Sequence, residues 1–191
     1  MHQLPNRNRV TAYCLIITVL FAFIQCKKEI DTRFLITDAS VGNLEAESLS
    51  RDIDLIFAKD SVVKDTISLN FGNKAKKVKI FEKGGTHLLT LTPSADSIPT
   101  FENVRFEDAR YKTEKGIHIK STFGEIKKAY TIKKVITSRN NLLILVKESK
   151  VYFIIGKEEL PSSLRYASST NIEAVQIPDK AKLKYMMLGW D

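Results

Sequence analysis

Residues 121–130 read Ser-Thr-Phe-Gly-Glu-Ile-Lys-Lys-Ala-Tyr, and the rest of the chain is organised around them. Phe123, Ile126, Ala129 and Tyr130 fall on one face of a helix. Thr122 and Glu125 have capping-box spacing, in which each side chain takes an amide N–H that the first helical turn leaves without a partner. Residues 48–57 read Ser-Leu-Ser-Arg-Asp-Ile-Asp-Leu-Ile-Phe, and match 73 positions earlier. The match sets Asp52 on Glu125, Ile53 on Ile126 and Phe57 on Tyr130. Leu49, Ile53, Ile56 and Phe57 predict a first helix over 49–59, capped by Ser48 or Ser50.

Most of the remainder reads as strand. Val78–Phe81 turns at Lys83-Gly84-Gly85 into His87–Thr92. Leu142–Val146 turns at Lys147-Glu148-Ser149 into Val151–Ile155, and both pairs predict hairpins. The second pair lies 64 positions after the first. Phe101–Asp108 aligns with Ile172–Asp179 at an offset of 71. Length differences then fall in two polar stretches, around 61–77 and 160–170, as a duplicated fold tolerates. The expectation is an α+β fold of two tandem copies of a small helix-plus-antiparallel-sheet unit packed together, over 34–108 and 109–191. Chance similarity between amphipathic strands is the competing explanation. The doubled unit resembles the layout of the β-lactamase inhibitor proteins. It is also similar to the single-copy small lipoprotein of the outer-membrane β-barrel assembly machinery. The likeness concerns element order over roughly 34–188, and no functional motif of either family carries over.

The N-terminus states an address. Arg7 and Arg9 precede an apolar run from Val10 to Ile24, which stops at Gln25-Cys26 and the charged Lys27-Lys28-Glu29. A basic head, a short apolar run and a sharp stop form a secretory signal. A cysteine at the stop resembles the lipobox of bacterial lipoproteins, although Gln25 stands where that pattern has a small residue. The resemblance implies cleavage between Gln25 and Cys26 and acylation of Cys26 by diacylglycerol and palmitate-like chains. It makes 1–25 a signal peptide and 26–33 a lipidated tether. An uncleaved anchor is a rival, but 15 apolar residues span only about 22 Å of a ~30 Å hydrocarbon core. Ordinary secretion is another, but no small-residue cleavage site follows. The other cysteine, Cys14, lies inside the apolar run, so the mature chain keeps no pair for a disulfide. The tether from Cys26 to Phe34 reaches at most about 29 Å. The whole pattern resembles uncharacterised small lipoproteins of Gram-negative bacteria, held on the outer membrane and facing the periplasm or the cell surface.

Function is less legible. The chain carries 30 Lys and Arg against 22 Asp and Glu, a formal charge of +8. No nucleic-acid motif accompanies that excess, and nucleic acid is not an expected partner. Lys74, Lys76, Lys77, Lys79, Lys127, Lys128, Lys133 and Lys134 form the densest basic clusters, suited to a solvated surface or to anionic lipid and lipopolysaccharide phosphates. His87 and His118 alternate with apolar neighbours and read as side chains on solvated strands. The expectation is no catalytic residue, no metal and no cofactor, since metal-ligand, P-loop and nucleophile-elbow spacings are all missing. Asp52, Asp54, Glu102, Asp108, Glu173 and Asp179 leave a carboxylate-based envelope hydrolase as an alternative. Leu183, Tyr185, Met186, Met187, Leu188 and Trp190 crowd the last nine residues. They predict a strand buried on both faces, or an apolar edge offering Tyr185 and Trp190 as partner contacts. The reading is a membrane-anchored envelope lipoprotein with a non-catalytic binding or scaffolding domain, attached through Cys26 and meeting another envelope protein. An anionic-lipid or lipopolysaccharide binder is the second alternative.

Overall fold

Alternating apolar residues let successive strands share one buried face, and that alternation builds the sheet. The structure, a computed structural model, describes residues 32–64, 77–165 and 171–190. The expected signal peptide and cleavage site at Gln25 and Cys26, most of the expected tether, and Lys74 and Lys76 lie outside these residues. Among the described residues the strands are β1 (Leu35–Ile36), β2 (Ser40–Val41), β3 (Leu44–Glu45), β4 (Ser61–Lys64), β5 (Val78–Phe81) and β6 (His87–Pro93). They continue with β7 (Phe101–Phe106), β8 (Lys112–Thr113), β9 (Ile132–Thr137), β10 (Asn141–Val146), β11 (Val151–Gly156) and β12 (Tyr185–Gly189). The helices are α1 (Ile53–Ile56), α2 (Phe123–Ala129) and α3 (Ser162–Arg165). The fold is α+β.

Eight strands form one sheet in the order β4-β5-β6-β7-β12-β11-β10-β9, with every neighbouring pair antiparallel. Each end is a four-stranded meander following a short helix, α1 or α2, and the meanders join where β7 pairs β12. Register carries an apolar row across the whole inner face. Val62, Ile80, Leu89 and Phe106 supply one half, and Met186, Phe153, Ile144 and Val135 the other. The second layer holds α1, α2 and a small sheet of order β3-β2-β1-β8. Ile36, Val41, Leu44, Ile53, Phe57, Phe123 and Ile126 join the strand residues in a single buried cluster. Fully burying a side chain of this kind contributes about 1.5–3 kcal/mol.

α2 is the helix its sequence predicts. Thr122 accepts from Glu125 N, and the Glu125 carboxylate accepts from Thr122 N at 2.6 Å. The first helix is shorter than expected. A 3-10 turn over Ser50–Asp52 leads into the single turn of α1, and Leu49 at the cap position makes no side-chain cap. Neither serine caps it; Ser48 Oγ instead accepts from Glu45 N. Leu55 is 78% exposed, so only Ile53 and its neighbours Ile56 and Phe57 hold this segment to the core.

Two strand assignments need correction. Ile172–Asp179 is not a strand: Ala174–Gln176 forms a 3-10 turn closed by Glu173 and Gln176. Pro178 has no N–H to give a ladder, and the strand beside β7 is β12. His118 lies in a turn after β8, where Thr113 Oγ1 accepts from Ile117 N and Gly116 has a φ of 80°.

The entering chain is fastened by charge and stacking. Arg33 and Arg110 lie over the Phe34 ring at 5.1 and 4.6 Å, and Tyr111 meets it edge-on at 5.1 Å. Arg110 donates to both carboxylate oxygens of Glu82 at 2.9 Å and to Asp108. These bonds hold the carboxyls of Glu82 and Asp108 below their ordinary values. Burial pushes the Tyr111 hydroxyl up.

Candidate functional site: the outer face of the sheet

The inner face is closed by the second layer, so the chemistry open to a partner lies on the outer face. Register again sets the row. Lys79, Thr90 and Arg105 cross β5, β6 and β7, and Met187, Tyr152, Leu145 and Lys134 cross β12, β11, β10 and β9. The two halves differ sharply. On β6 and β7 the outer face is a polar network. Thr90 donates to Glu107 at 3.0 Å, Arg105 Nε donates to the same carboxylate at 2.5 Å, and Thr90 and His87 share a 3.1 Å bond. His87 also stacks on Phe81 at 4.5 Å.

On β12, β11 and β10 the same face is apolar. Leu143, Leu145, Tyr152, Ile154, Tyr185 and Met187 are half-buried, and none belongs to the core or packs against it. Ile136 of β9 extends the surface and is 38% exposed. Polar contacts pin its aromatic members. Tyr152 donates its hydroxyl to Asn103 at 2.5 Å, and the Arg105 guanidinium lies 5.1 Å over the Tyr185 ring. A shallow depression of about 650 Å³ opens at the β10–β11 turn, floored by Leu143, Leu145 and Tyr152 and edged by Lys133, Lys147 and Lys150. Its two acids are engaged by the protein itself. Asp38 accepts from Ser149 Oγ at 2.6 Å and Lys150 N at 2.8 Å, while both oxygens of Glu148 accept from Thr131 N. The Thr131 bonds hold the Glu148 carboxyl below the usual range.

β12 therefore differs from the first of the two readings of its sequence, a strand buried on both sides. Met186 and Leu188 enter the core, but Tyr185 and Met187 stand on the open face. The two candidate partner contacts also separate. Tyr185 lies on the outer face, whereas Trp190 packs against the core and gives its indole N–H to Asp38. Leu143, Leu145, Tyr152 and Ile154 were missed as surface residues. Their signal is present: Leu-Leu-Ile-Leu-Val and Val-Tyr-Phe-Ile-Ile are apolar at both parities, which alternation over a solvated face does not produce.

The candidate acids are dispersed over different elements, most with a partner of their own. Asp54 pairs with Lys64 at 2.5 Å, Asp179 with Lys127 at 2.5 Å and Asp108 with Arg110 at 3.0 Å. Asp52 lies 3.9 Å from Arg51, and Glu173 closes its own 3-10 turn. Glu102 is half-buried on β7. The carboxyls with a resolved shift, Glu82, Asp108, Glu125 and Glu148, are all lowered, the opposite of what a general acid at neutral pH requires. Among the described residues, no group of three or more His, Cys, Asp and Glu is placed to hold a metal ion. The basic clusters divide as well, Lys127 and Lys128 on α2 and Lys133 and Lys134 on β9.

No family model matches this chain, and no curated protein matches it in sequence. A solved structure does: the uncharacterized protein yfeY from Escherichia coli is similar over 81% of this chain and 98% of its own, with a TM-score of 0.53 at 12% identity, a likeness that concerns the fold.

Proposed function

We propose that this chain is a lipid-anchored protein of the bacterial envelope, acylated on Cys26, whose folded domain binds another protein and performs no chemistry. The observation that carries the binding role is the apolar outer face of β10, β11 and β12, which among the described residues packs against no part of the core. Water-exposed apolar area of this kind marks protein contact surfaces, and tyrosines within it serve as anchors. Lowered and scattered carboxyls support the non-catalytic part. The tandem-copy reading belongs here too. Two meanders of the same order, each after a helix and joined through β7 and β12, support a duplicated unit whose last strands correspond as β7 and β12. The short tether keeps the domain near its membrane, on the outer membrane facing the periplasm or the surface.

Two measurements test this. Intact-mass analysis of the processed protein is expected to show a chain beginning at an acylated Cys26; an unmodified Cys26 removes the anchor. Crosslinking in the native envelope is expected to capture a partner through the outer face; capture only through the helical layer removes the binding surface.

A further inference from the structure

The depression at the β10–β11 turn specifies what kind of partner fits it. Lys133, Lys147 and Lys150 are exposed at its edge, and Lys134 is exposed beside it, opposite Leu145 on the neighbouring strand. Among the described residues, none of these four ammonium groups pairs with a carboxylate. The two acids at the rim, Asp38 and Glu148, are already held by Ser149 and by the backbone N–H groups of Lys150 and Thr131. The lining sets Lys133, Lys147 and Lys150 against Asp38 and Glu148, so the local surplus is positive by one charge, and the apolar side chains of Leu143, Leu145 and Tyr152 lie among these polar groups. Lysines that form no salt bridge of their own keep the local potential positive, and an anionic partner complements it.

Shape decides which anion. The floor is half-buried and recessed, so a flat bilayer reaches the lysines and leaves Leu143 and Leu145 uncovered. The recess is also open and shallow, offering no enclosed channel for an acyl chain. A protein segment meets both demands, with apolar side chains on the floor and carboxylates on the rim. A second copy of this chain would oppose lysine to lysine. We infer that this depression docks a segment of a partner protein in which acidic residues flank a large apolar side chain. The inference rests on the proposed binding role of the outer face and adds the chemistry of the partner.

The test uses the full-length chain in its own cells with the photoreactive substitution Leu145→p-benzoylphenylalanine, and Leu55→p-benzoylphenylalanine on α1 as a control. A protein adduct is expected from position 145, with a crosslinked peptide containing Asp or Glu beside an apolar residue. In the Lys133→Glu/Lys147→Glu/Lys150→Glu background its yield is expected to fall about tenfold or more. The triple Lys→Arg variant is expected to retain it. Circular dichroism and the thermal midpoint of each variant separate lost docking from lost folding. A protein adduct indifferent to charge reversal, or a crosslinked peptide without acids, overturns the acidic-partner inference while leaving the binding role standing. An adduct to lipid or lipopolysaccharide alone, or none, overturns both.

Discussion

Trp190 donates its indole N–H to the backbone carbonyl of Asp38 at 3.0 Å, tying the end of the chain to the turn between β1 and β2. The Asp38 carboxylate in turn holds Ser149 and Lys150 on the β10–β11 turn. One short turn thus joins the first small strand, the last strand and the rim of the proposed docking site. Trp190→Phe keeps most of the packing and removes the donor, so it is expected to cost about 1 kcal/mol, near 2–4 °C in midpoint. Thermal melting measures it; an unchanged midpoint means the bond contributes nothing.

β12 has a larger role than its position suggests, because it pairs on both sides and links the two meanders. Deleting residues 183–191 removes Met186 and Leu188 from the core and leaves β7 and β11 with open ladders. Loss of cooperative unfolding is expected by circular dichroism. A deletion product that melts as sharply as the full chain contradicts this topology.

The capping box of α2 gives a small and specific effect. Thr122→Ala removes the acceptor for Glu125 N, with an expected loss of about 1 kcal/mol in denaturant titration. Thr122→Ser is expected to retain most of the stability.

Gly42 has a φ of 57° in the turn between β2 and β3, and a Cβ there would strike the backbone carbonyl of Arg33. Gly42→Ala is expected to destabilise by more than about 1 kcal/mol, since backbone on both sides must move. Gly84→Ala, where φ is also positive but a Cβ meets open space, is expected to cost less.

Acid sensitivity follows from carboxyls that are lowered in the folded state. The ordinary values are 4.5 for Glu82, Glu125 and Glu148 and 3.8 for Asp108. Below these values the unfolded chain binds the extra protons first, so stability is complete above about pH 5 and falls as pH drops through the lowered native values. Urea midpoints between pH 7 and pH 3 are expected to be flat and then decline. A rise on acidification would reverse the assigned sign.

The two faces of β10 provide an internal control. Ile144→Ala opens the core and is expected to cost about 2–5 kcal/mol, while Leu145→Ala on the open face costs under about 1 kcal/mol. Similar losses at both positions would mean that something covers the outer face.

Local chemistry made α2, the two hairpins and the strand alternation readable, because capping spacing, turn glycines and period-two patterning involve residues close in sequence. The shorter α1 was less readable: its apolar spacing is helical, but no side chain caps it. The last strand was expected in the crowded C-terminus, but the counterpart of β7 was placed at Ile172–Asp179, because apolar alternation there resembles β7 and periodicity ignores the missing N–H of Pro178. Of the site, Tyr185 was legible as an apolar residue in a crowded C-terminus. Leu143, Leu145, Tyr152 and Ile154 were readable only as strand residues. Sequence by itself determined an apolar N-terminal run that stops at Cys26, a predominantly β domain and its basic charge. Tertiary structure decided that β12 lies between β7 and β11, which face of β10–β12 stays open, and that Trp190 turns inward while Tyr185 does not. The physical reason is that a strand's alternation fixes which residues share a face. Only its register against distant strands, and the layer packed on one side, decides which of its faces meets the core.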